Sequence, residues 1–245
     1  MIFCSRILRQ MQKRLLVAFD FDHTIVDDNT DIVVREMLPK EKISSEISDL
    51  YSSDGWTVYM GKIFELLHQN GITREEIQTT IRDIPITPGF DNLLKFLLDK
   101  DCETIVISDS NSEFIKEWLK GASLEHTIRS VFTNPAKYDS EGCLHIDMYH
   151  VQDWCQLSTK NLCKGYILEN YVNNRKEEGI DFARTVYIGD GKNDLCPCLK
   201  LSANDFAFPR KGYALMKYIY EHPVKAAIHP WNTGEDIIGV ISKLL

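Results

Sequence analysis

The sequence predicts an α/β fold organised around a parallel β-sheet, and three short apolar segments are the main evidence. Residues 15–19, 104–107 and 185–188 are rich in apolar or β-branched side chains and contain neither glycine nor proline. Such runs are typical of strands that are buried on both faces of a parallel sheet. Acidic or hydroxyl side chains follow each run within two residues. They mark a candidate site, because ligands of open α/β sheets bind beyond the carboxyl ends of the strands.

Asp20 and Asp22 follow the first predicted strand directly. Two carboxylates in this position are costly to bury unless a cation or a reaction uses them. A carboxylate can attack phosphorus and carry the phosphoryl group, and a neighbouring one can act as acid and then base. The spacing of Asp20, Asp22 and Thr24 is also that of the first three ligands of an EF-hand loop. Ile25 and Asp31 stand where that loop needs glycine and glutamate, which excludes it.

The interval before the second predicted strand is long enough for an inserted helical lid. A strand–helix–strand unit needs roughly 30 residues, and residues 91–98 already supply its helix. We assign residues 27–86 to the lid. Apolar side chains at helical spacing over residues 56–67, and a capping box from Thr73 to Glu76, predict two of its helices. The lid aromatics are expected to pack in its core or to hold a substrate ring: Tyr51, Trp56, Tyr59 and Phe64.

The second predicted strand ends in Ser108, which Asp109 follows. The Ser108 hydroxyl can donate to a phosphate oxygen. The alternative role is a helix cap, but Ser112 stands in a better position to cap the helix that follows. Farther along the chain, the pattern of residues 138–146 predicts a β-hairpin.

Lys164 opens a predicted helix that extends to about residue 178. A lysine beside a phosphate neutralises its charge, although most lysines are merely solvated. The order of Lys164 in the chain, between Ser108 and Asp190, favours the phosphate role.

The third predicted strand runs into a glycine-containing turn that carries Asp190 and Asp194. Glycines let the backbone turn tightly and approach a ligand closely. Mg²⁺ prefers oxygen ligands, usually one or two carboxylates with waters and substrate phosphate. Asp20, Asp22 and Asp190 would form such a site if they met at one edge of the sheet.

Composition excludes several classes of function. The chain has 245 residues, 44% hydrophobic and 26% charged, with a net charge of −8. The negative charge argues against a nucleic-acid partner, and it requires any phosphate to be captured by local groups. No apolar run is long enough to cross a membrane, which excludes a P-type pump. We expect no membrane partner. No sequence feature indicates an oligomeric state.

Seven cysteines and no secretory signal predict reduced thiols in the cytoplasm. His150, Cys155 and Cys163 could bind a metal, but their spacing fits no standard zinc pattern. Cys196 and Cys198 are expected to pack. Residues 1–14 form a basic tail without acids, the composition of a mitochondrial presequence, which we favour less than a cytoplasmic location. Met11 is a possible alternative start within that tail.

The chain resembles the haloacid dehalogenase-like (HAD) phosphohydrolases, because the four motifs of that family occur here in order. They are Asp20-x-Asp22-x-Thr24, Ser108, Lys164 and Gly189-Asp190-Gly191-x-Asn193-Asp194. Longer stretches, such as 20–27, 108–111, 161–164 and 208–213, are similar to the PHOSPHO family of phosphoethanolamine/phosphocholine and pyridoxal phosphate phosphatases. The resemblance implies a Rossmann-like doubly wound parallel sheet made of residues 15–26 and 87–245. It also implies that residues 27–86 are a helical C1 cap.

The resemblance implies an Mg²⁺-dependent hydrolysis of a small phosphorylated metabolite. Asp20 would be the nucleophile and Asp22 the general acid and base. The metal would be held by Asp20, the Asp22 carbonyl and Asp190, with Asp194 supporting the site. Ser108 and Lys164, with Asp109 beside them, would bind the phosphoryl oxygens.

Substrate candidates from the resemblance are pyridoxal 5′-phosphate, phosphoethanolamine and phosphocholine, with pyrophosphate or thiamin monophosphate as alternatives. A phosphotransferase and a non-catalytic binding protein on the same scaffold are further alternatives. Asp31 and Asp109 are candidates for selectivity, because a carboxylate near a phosphate site needs a positive partner. That partner is either the cationic head of the substrate or a group of the protein, such as Lys164.

Overall fold

The computed structural model describes residues 14–51 and 55–245. The predicted basic tail, with the alternative start at Met11, lies almost entirely outside these residues. Within them the strands are β1 (Arg14–Phe19), β2 (Glu103–Asn111), β3 (Ser130–Asn134), β4 (Ala136–Tyr138), β5 (Leu144–Ile146), β6 (Phe182–Gly189), β7 (Phe206–Pro209) and β8 (Ala227–Ile228). The helices are α1 (Thr30–Arg35), α2 (Ser45–Ser48), α3 (Trp56–Gln69), α4 (Arg74–Arg82), α5 (Phe90–Asp99), α6 (Ser112–Gly121), α7 (Lys164–Glu177), α8 (Leu195–Lys200), α9 (Ala214–Glu221) and α10 (Gly234–Ile241).

Six strands form one parallel sheet in the order β3-β2-β1-β6-β7-β8. Side chains of β1 alternate between two buried clusters: Leu15, Val17 and Phe19 belong to one, and Leu16 and Ala18 to the other. The first cluster includes side chains of α5, α6 and α10, and the second those of α7, α8 and α9. Helices therefore cover both faces of the sheet, and the predicted α/β Rossmann-like class is confirmed.

The chain leaves the sheet after β1 and forms α1 to α4 before it returns at α5. A backbone bridge between Val26 and Ile86 closes the base of this excursion. The Asp27 N–H donates to the Pro85 carbonyl at 2.8 Å beside that bridge. The excursion lies where the sequence places the cap, and we use that name for residues 27–86 below.

Two local predictions are confirmed by the helices and strands that form, and one is wrong. The capping box of Thr73 and Glu76 is present at α4, and the predicted hairpin is the antiparallel pair β4–β5. The prediction that Ser112 caps α6 is wrong, because β2 continues to Asn111 and its side chain accepts from the Phe114 N–H at 3.1 Å. Ser112 Oγ instead accepts from the Ala136 N–H at 2.9 Å.

Among the described residues no helix combines the length and the apolar character that crossing a membrane requires.

Candidate active site

Three adjacent central strands bring the predicted motifs to one edge of the sheet. Asp20 follows β1, Ser108 lies near the end of β2, and Asp190 follows β6. Lys164 is the first residue of α7 and is buried. Because β1 lies between β2 and β6, residues far apart in the chain become neighbours there.

The Lys164 ammonium group lies between two carboxylates. Its Nζ is 2.6 Å from Asp20 Oδ2 and 2.8 Å from Asp194 Oδ1. Burial alone would lower the pKa of Lys164, but Asp194, Asp20 and Asp109 outweigh it and raise that pKa. Burial and the charge of Asp194 raise the pKa of Asp20 to about 7, although Lys164 opposes this change. Lys164 is therefore held as a cation beside Asp20.

Asp194 organises the acidic turn after β6. Its Oδ1 accepts from Lys164 Nζ and from the Tyr187 hydroxyl at 2.7 Å. Its Oδ2 accepts from the backbone N–H groups of Asp190 at 3.0 Å and Gly191 at 2.8 Å. Both oxygens are thus occupied by donors of the protein, so Asp194 orients Lys164 and shapes the turn. Tyr187 was not predicted as a site residue, because its only signal in the sequence is a hydroxyl group within an apolar strand.

The donors around Asp20 and Asp190 suit a hard divalent cation. Carboxylate oxygens of Asp20, Asp190 and Asp194 lie within 4.8 Å of one another and are buried. Burial and the charges of Asp20 and Asp194 raise the pKa of Asp190 to about 9. A cation would relieve this repulsion, and Mg²⁺ binds such all-oxygen sets. Each Asp194 oxygen already accepts two hydrogen bonds, whereas each Asp20 oxygen has one donor among the described residues, the Phe21 N–H at 2.6 Å or Lys164 Nζ at 2.6 Å. Asp20 and Asp190 are therefore better candidates than Asp194 for direct ligands.

Asp22 faces the start of the cap. Its Oδ1 accepts from the Thr30 N–H at 3.0 Å, and its Oδ2 accepts from the Thr30 hydroxyl at 3.3 Å. Burial and the nearby Asp31 raise the pKa of Asp22 well above its ordinary value, despite the bonds from Thr30. Asp22 therefore binds a proton more readily than a solvent-exposed carboxyl group does. The first helix of the cap therefore contacts the predicted acid–base residue directly.

Asp31 is buried on α1 with only one of its oxygens bonded. Trp56 Nε1 donates to Oδ2 at 2.8 Å, while Oδ1 is without a hydrogen-bond partner among the described residues. Burial raises the pKa of Asp31 to about 7, and the charge of Asp109 adds to this effect. Asn111 lies close enough to Asp31 to lower that pKa in part. The structure thus places Asp31 near both Asp22 and Asp109, with its Oδ1 buried.

Ser108 and Asp109 differ in what they offer a substrate. Ser108 Oγ accepts from the Ser110 N–H at 3.2 Å, which leaves its hydroxyl hydrogen free to be donated. Asp109 Oδ1 accepts from Asn161 Nδ2 at 3.1 Å, and its Oδ2 accepts from Asn193 Nδ2 at 2.5 Å. Asp109 therefore connects the segment before α7 to the turn after β6.

Arg210, which directly follows β7, is a further residue near the site that was not predicted from the sequence. Its guanidinium donates to the His23 carbonyl at 2.6 Å and to Asp27 Oδ1 at 2.5 Å. It also lies over the Tyr213 ring, 4.6 Å from the centroid. His23 has a positive φ of 51°, a conformation that costs energy in a residue other than glycine. Arg210 thus holds the strained loop that runs from Asp22 to the start of the cap.

Comparisons with known proteins agree with this geometry. A family model described as "Putative Phosphatase" matches residues 15–245. The "Pyridoxal phosphate phosphatase PHOSPHO2" of Bos taurus is 38% identical over 241 residues, covering 95% of this chain and 99% of that protein. The "Phosphoethanolamine/phosphocholine phosphatase" of Homo sapiens is 32% identical over 241 residues, covering 95% and 90% respectively.

A solved structure described as "Phospho-Aspartyl Intermediate Analogue of Phosphoserine phosphatase" has a similar fold. It matches with a TM-score of 0.62 at 21% identity, covering 94% of this chain and 99% of the other. At this identity the likeness concerns the fold.

Proposed function

The chain belongs to the PHOSPHO family of HAD-like phosphatases, and from this membership we propose that it hydrolyses a small phosphorylated metabolite through an aspartyl phosphate on Asp20. The observation that carries the proposal is the buried Lys164, 2.6 Å from Asp20 at the carboxyl edge of the sheet. A fixed cation beside a carboxylate attracts a phosphoryl group to that carboxylate and stabilises the charge of the transition state.

The proposed reaction has two displacements at phosphorus. In the first, a carboxylate oxygen of Asp20 bonds to phosphorus, the ester bond breaks, and Asp22 donates a proton to the leaving alcohol. In the second, Asp22 takes a proton from a water molecule that attacks the aspartyl phosphate, which releases inorganic phosphate and restores Asp20. Lys164 and the Ser108 hydroxyl contact the phosphoryl oxygens in both steps. The raised pKa of Asp22 supports its role as the first proton donor.

Asp20, Asp190 and the backbone carbonyl of Asp22 would hold Mg²⁺. When bound, Mg²⁺ supplies positive charge that orients the phosphoryl oxygens and neutralises part of their charge. Asp194 contributes through its bonds to Lys164 and to the backbone of the turn.

The proposed substrates are pyridoxal 5′-phosphate and phosphoethanolamine or phosphocholine, which the names of the relatives indicate. The free oxygen of Asp31 favours a substrate with a cationic head. The rings of Tyr51, Trp56 and Tyr59 pack against one another, with centroids 5.0 to 5.6 Å apart. Tyr51 is 58% exposed, so its ring offers a face to a pyridine ring or a quaternary ammonium group. Pyrophosphate and thiamin monophosphate are the alternatives. Free thiols at the described cysteines support a cytoplasmic location.

The test is phosphate release from each candidate with Mg²⁺, by the wild-type chain and by Asp20→Asn. We expect turnover of at least one candidate and none by the variant, because an amide cannot attack phosphorus. Acid quenching of the wild type during turnover should yield a phosphorylated peptide that contains Asp20. Retention of a tenth of wild-type kcat by Asp20→Asn would contradict the assignment. Transfer to an added alcohol without phosphate release would instead identify a phosphotransferase.

A further inference from the structure

Three cysteines that are distant in the chain converge beside the active site. Cys155 lies in the segment between β5 and α7, Cys163 directly precedes α7, and Cys196 lies in α8. The Sγ atom of Cys196 is 3.4 Å from that of Cys155 and 3.7 Å from that of Cys163. All three sulfur atoms lie within 4.8 Å of one another.

We propose that Cys155, Cys163 and Cys196 bind a zinc ion through their thiolates. Zn–S bonds of about 2.3 Å in a tetrahedron place two ligand sulfurs about 3.8 Å apart. The two closest sulfur pairs, at 3.4 and 3.7 Å, are already near that separation. Only small side-chain movements are needed to place an ion between the sulfurs, and each thiol releases its proton to solvent on binding.

The fourth position of the site falls near Ser158. Its Oγ lies 3.3 Å from Cys155 Sγ, and the residue is half-buried. A neutral hydroxyl is a weak ligand for zinc compared with a thiolate, so water or Ser158 completes the coordination. The site is therefore a three-thiolate site whose fourth ligand can be improved by substitution.

The surroundings hold the ligands in place before any ion binds. Buried Gln152 accepts from the Cys155 N–H at 2.8 Å and donates to the Thr159 carbonyl at 2.8 Å. His150 Nε2 accepts from the Cys163 N–H at 2.9 Å. A Cβ atom at Gly165 would lie 2.5 Å from Cys196 Sγ, so glycine is what admits this sulfur to the cluster. Cys163 also stands at the N-terminus of α7, where the helix dipole favours a thiolate.

The proposed ion would act on the geometry of the catalytic pair. Cys163 immediately precedes Lys164, and Cys196 is two residues after Asp194. Zinc would link the two segments that carry the Lys164–Asp194 ion pair, while thiolate ligands keep it distinct from the carboxylate site that suits Mg²⁺. The zinc site is thus structural and stands independently of the substrate.

The experiment is a cobalt and zinc titration of the reduced, chelator-treated full chain in excess Mg²⁺. Cobalt bound to thiolates gives a ligand-to-metal charge-transfer band that a carboxylate site cannot give. We expect one equivalent to saturate this band, and zinc to displace the cobalt. Cys155→Ser should lose the band, whereas Cys102→Ser, at a half-buried cysteine outside the cluster, should keep it.

Ser158→Cys supplies a second variant that adds a ligand instead of removing one. We expect it to retain zinc against a chelator concentration that strips the wild type, and to melt at a higher temperature with zinc. No thiolate band in the wild type, or an equal band in Cys155→Ser with a native circular dichroism spectrum, would overturn the proposal. A disulfide between two of these cysteines that persists after reduction, with no metal bound, would also overturn it.

Discussion

Lys164 is the residue on which the buried charges of the site depend. It pairs with Asp20 and Asp194, and all three are almost completely buried. Motif order alone predicted that Lys164 belongs to the site, and its phosphate-binding role stays a prediction. It could not predict the bond from Tyr187 to Asp194 or the convergence of Cys196 on Cys155, because such contacts depend on how β6, α7 and α8 pack.

Lys164→Met should destabilise the fold as well as abolish turnover. Removing the ammonium group leaves two buried carboxylates without their partner, which costs about 3–5 kcal/mol in the free energy of unfolding. The control is Lys200→Met. Lys200 Nζ lies 2.9 Å from Glu169 Oε2, but the two side chains are 40% and 47% exposed. We expect the free energy of unfolding of this variant to change by less than about 1 kcal/mol. Urea unfolding measures both, and equal losses would contradict the role given to Lys164.

Asp31→Asn should change substrate selectivity. If the free Asp31 oxygen receives a cationic head, kcat/KM for phosphoethanolamine should fall much more than for p-nitrophenyl phosphate. A desolvated charge pair worth about 2 kcal/mol corresponds to roughly thirty-fold. Asp109→Asn is the comparison, and its bonds to Asn161 and Asn193 predict similar losses on both esters. If Asp31→Asn also lowers both equally, pyridoxal 5′-phosphate becomes the favoured substrate.

At the scale of elements, agreement between sequence and structure follows the range of the interactions. The capping box of α4 and the hairpin β4–β5 depend on a few adjacent residues, and both are predicted correctly. The start of α6 is predicted wrongly, because Asn111 and Ser112 are both good N-caps. The contact of Ser112 with Ala136, 24 residues away, decides between them.

A buried ion pair fixes α7 against β2 at the opposite end of the sheet from the site. Glu103 accepts from Arg175 Nε at 2.7 Å and from the Tyr171 hydroxyl at 2.6 Å. Burial alone would raise the pKa of Glu103, but the bonds from Arg175 and Tyr171 outweigh it and lower that pKa. Because the folded pKa lies below the unfolded one, this stabilisation exists above the unfolded pKa and is lost as pH falls through the folded value.

Glu103→Gln should therefore lower the free energy of unfolding at pH 7 by about 2–3 kcal/mol, since Arg175 then keeps only the exposed Glu178 as an ionic partner among the described residues. The difference from wild type should shrink as the pH falls through the lowered pKa of folded Glu103, because the wild-type carboxylate also becomes protonated there. Urea unfolding at a series of pH values measures this. A difference that stays constant with pH would show that the loss comes from packing.

At the scale of the whole molecule, the candidate active site at the edge of the sheet combines segments from nearly the full length of the chain. The cap supplies Thr30 and Asp31, and Arg210 follows β7, the strand beside β6. Acidic groups dominate this edge, with the pKa of Asp20 raised to about 7 and that of Asp190 to about 9. Such a site should be both inactive and less stable without its cation.

Removal of divalent cations with EDTA should abolish turnover, and Mg²⁺ should restore it. Ca²⁺ should inhibit, because its looser coordination displaces the nucleophile. In a thermal scan Mg²⁺ should raise the melting temperature of the wild type, as expected for a ligand of the folded state. It should raise that of Asp190→Asn much less. Full activity after exhaustive chelation would exclude the proposed metal site.

The bridge between Val26 and Ile86 has a consequence for how the family can diversify. Both ends of the cap meet at this bridge, so the chain exits and re-enters the sheet at nearly the same point. Because the entropy of closing such an excursion grows only slowly with its length, the cap can lengthen, shorten or be replaced while β1 and its neighbours keep their pairing. The cap is thus an exchangeable module, and a chimera that joins a relative's cap at residues 26 and 86 should inherit that relative's substrate preference.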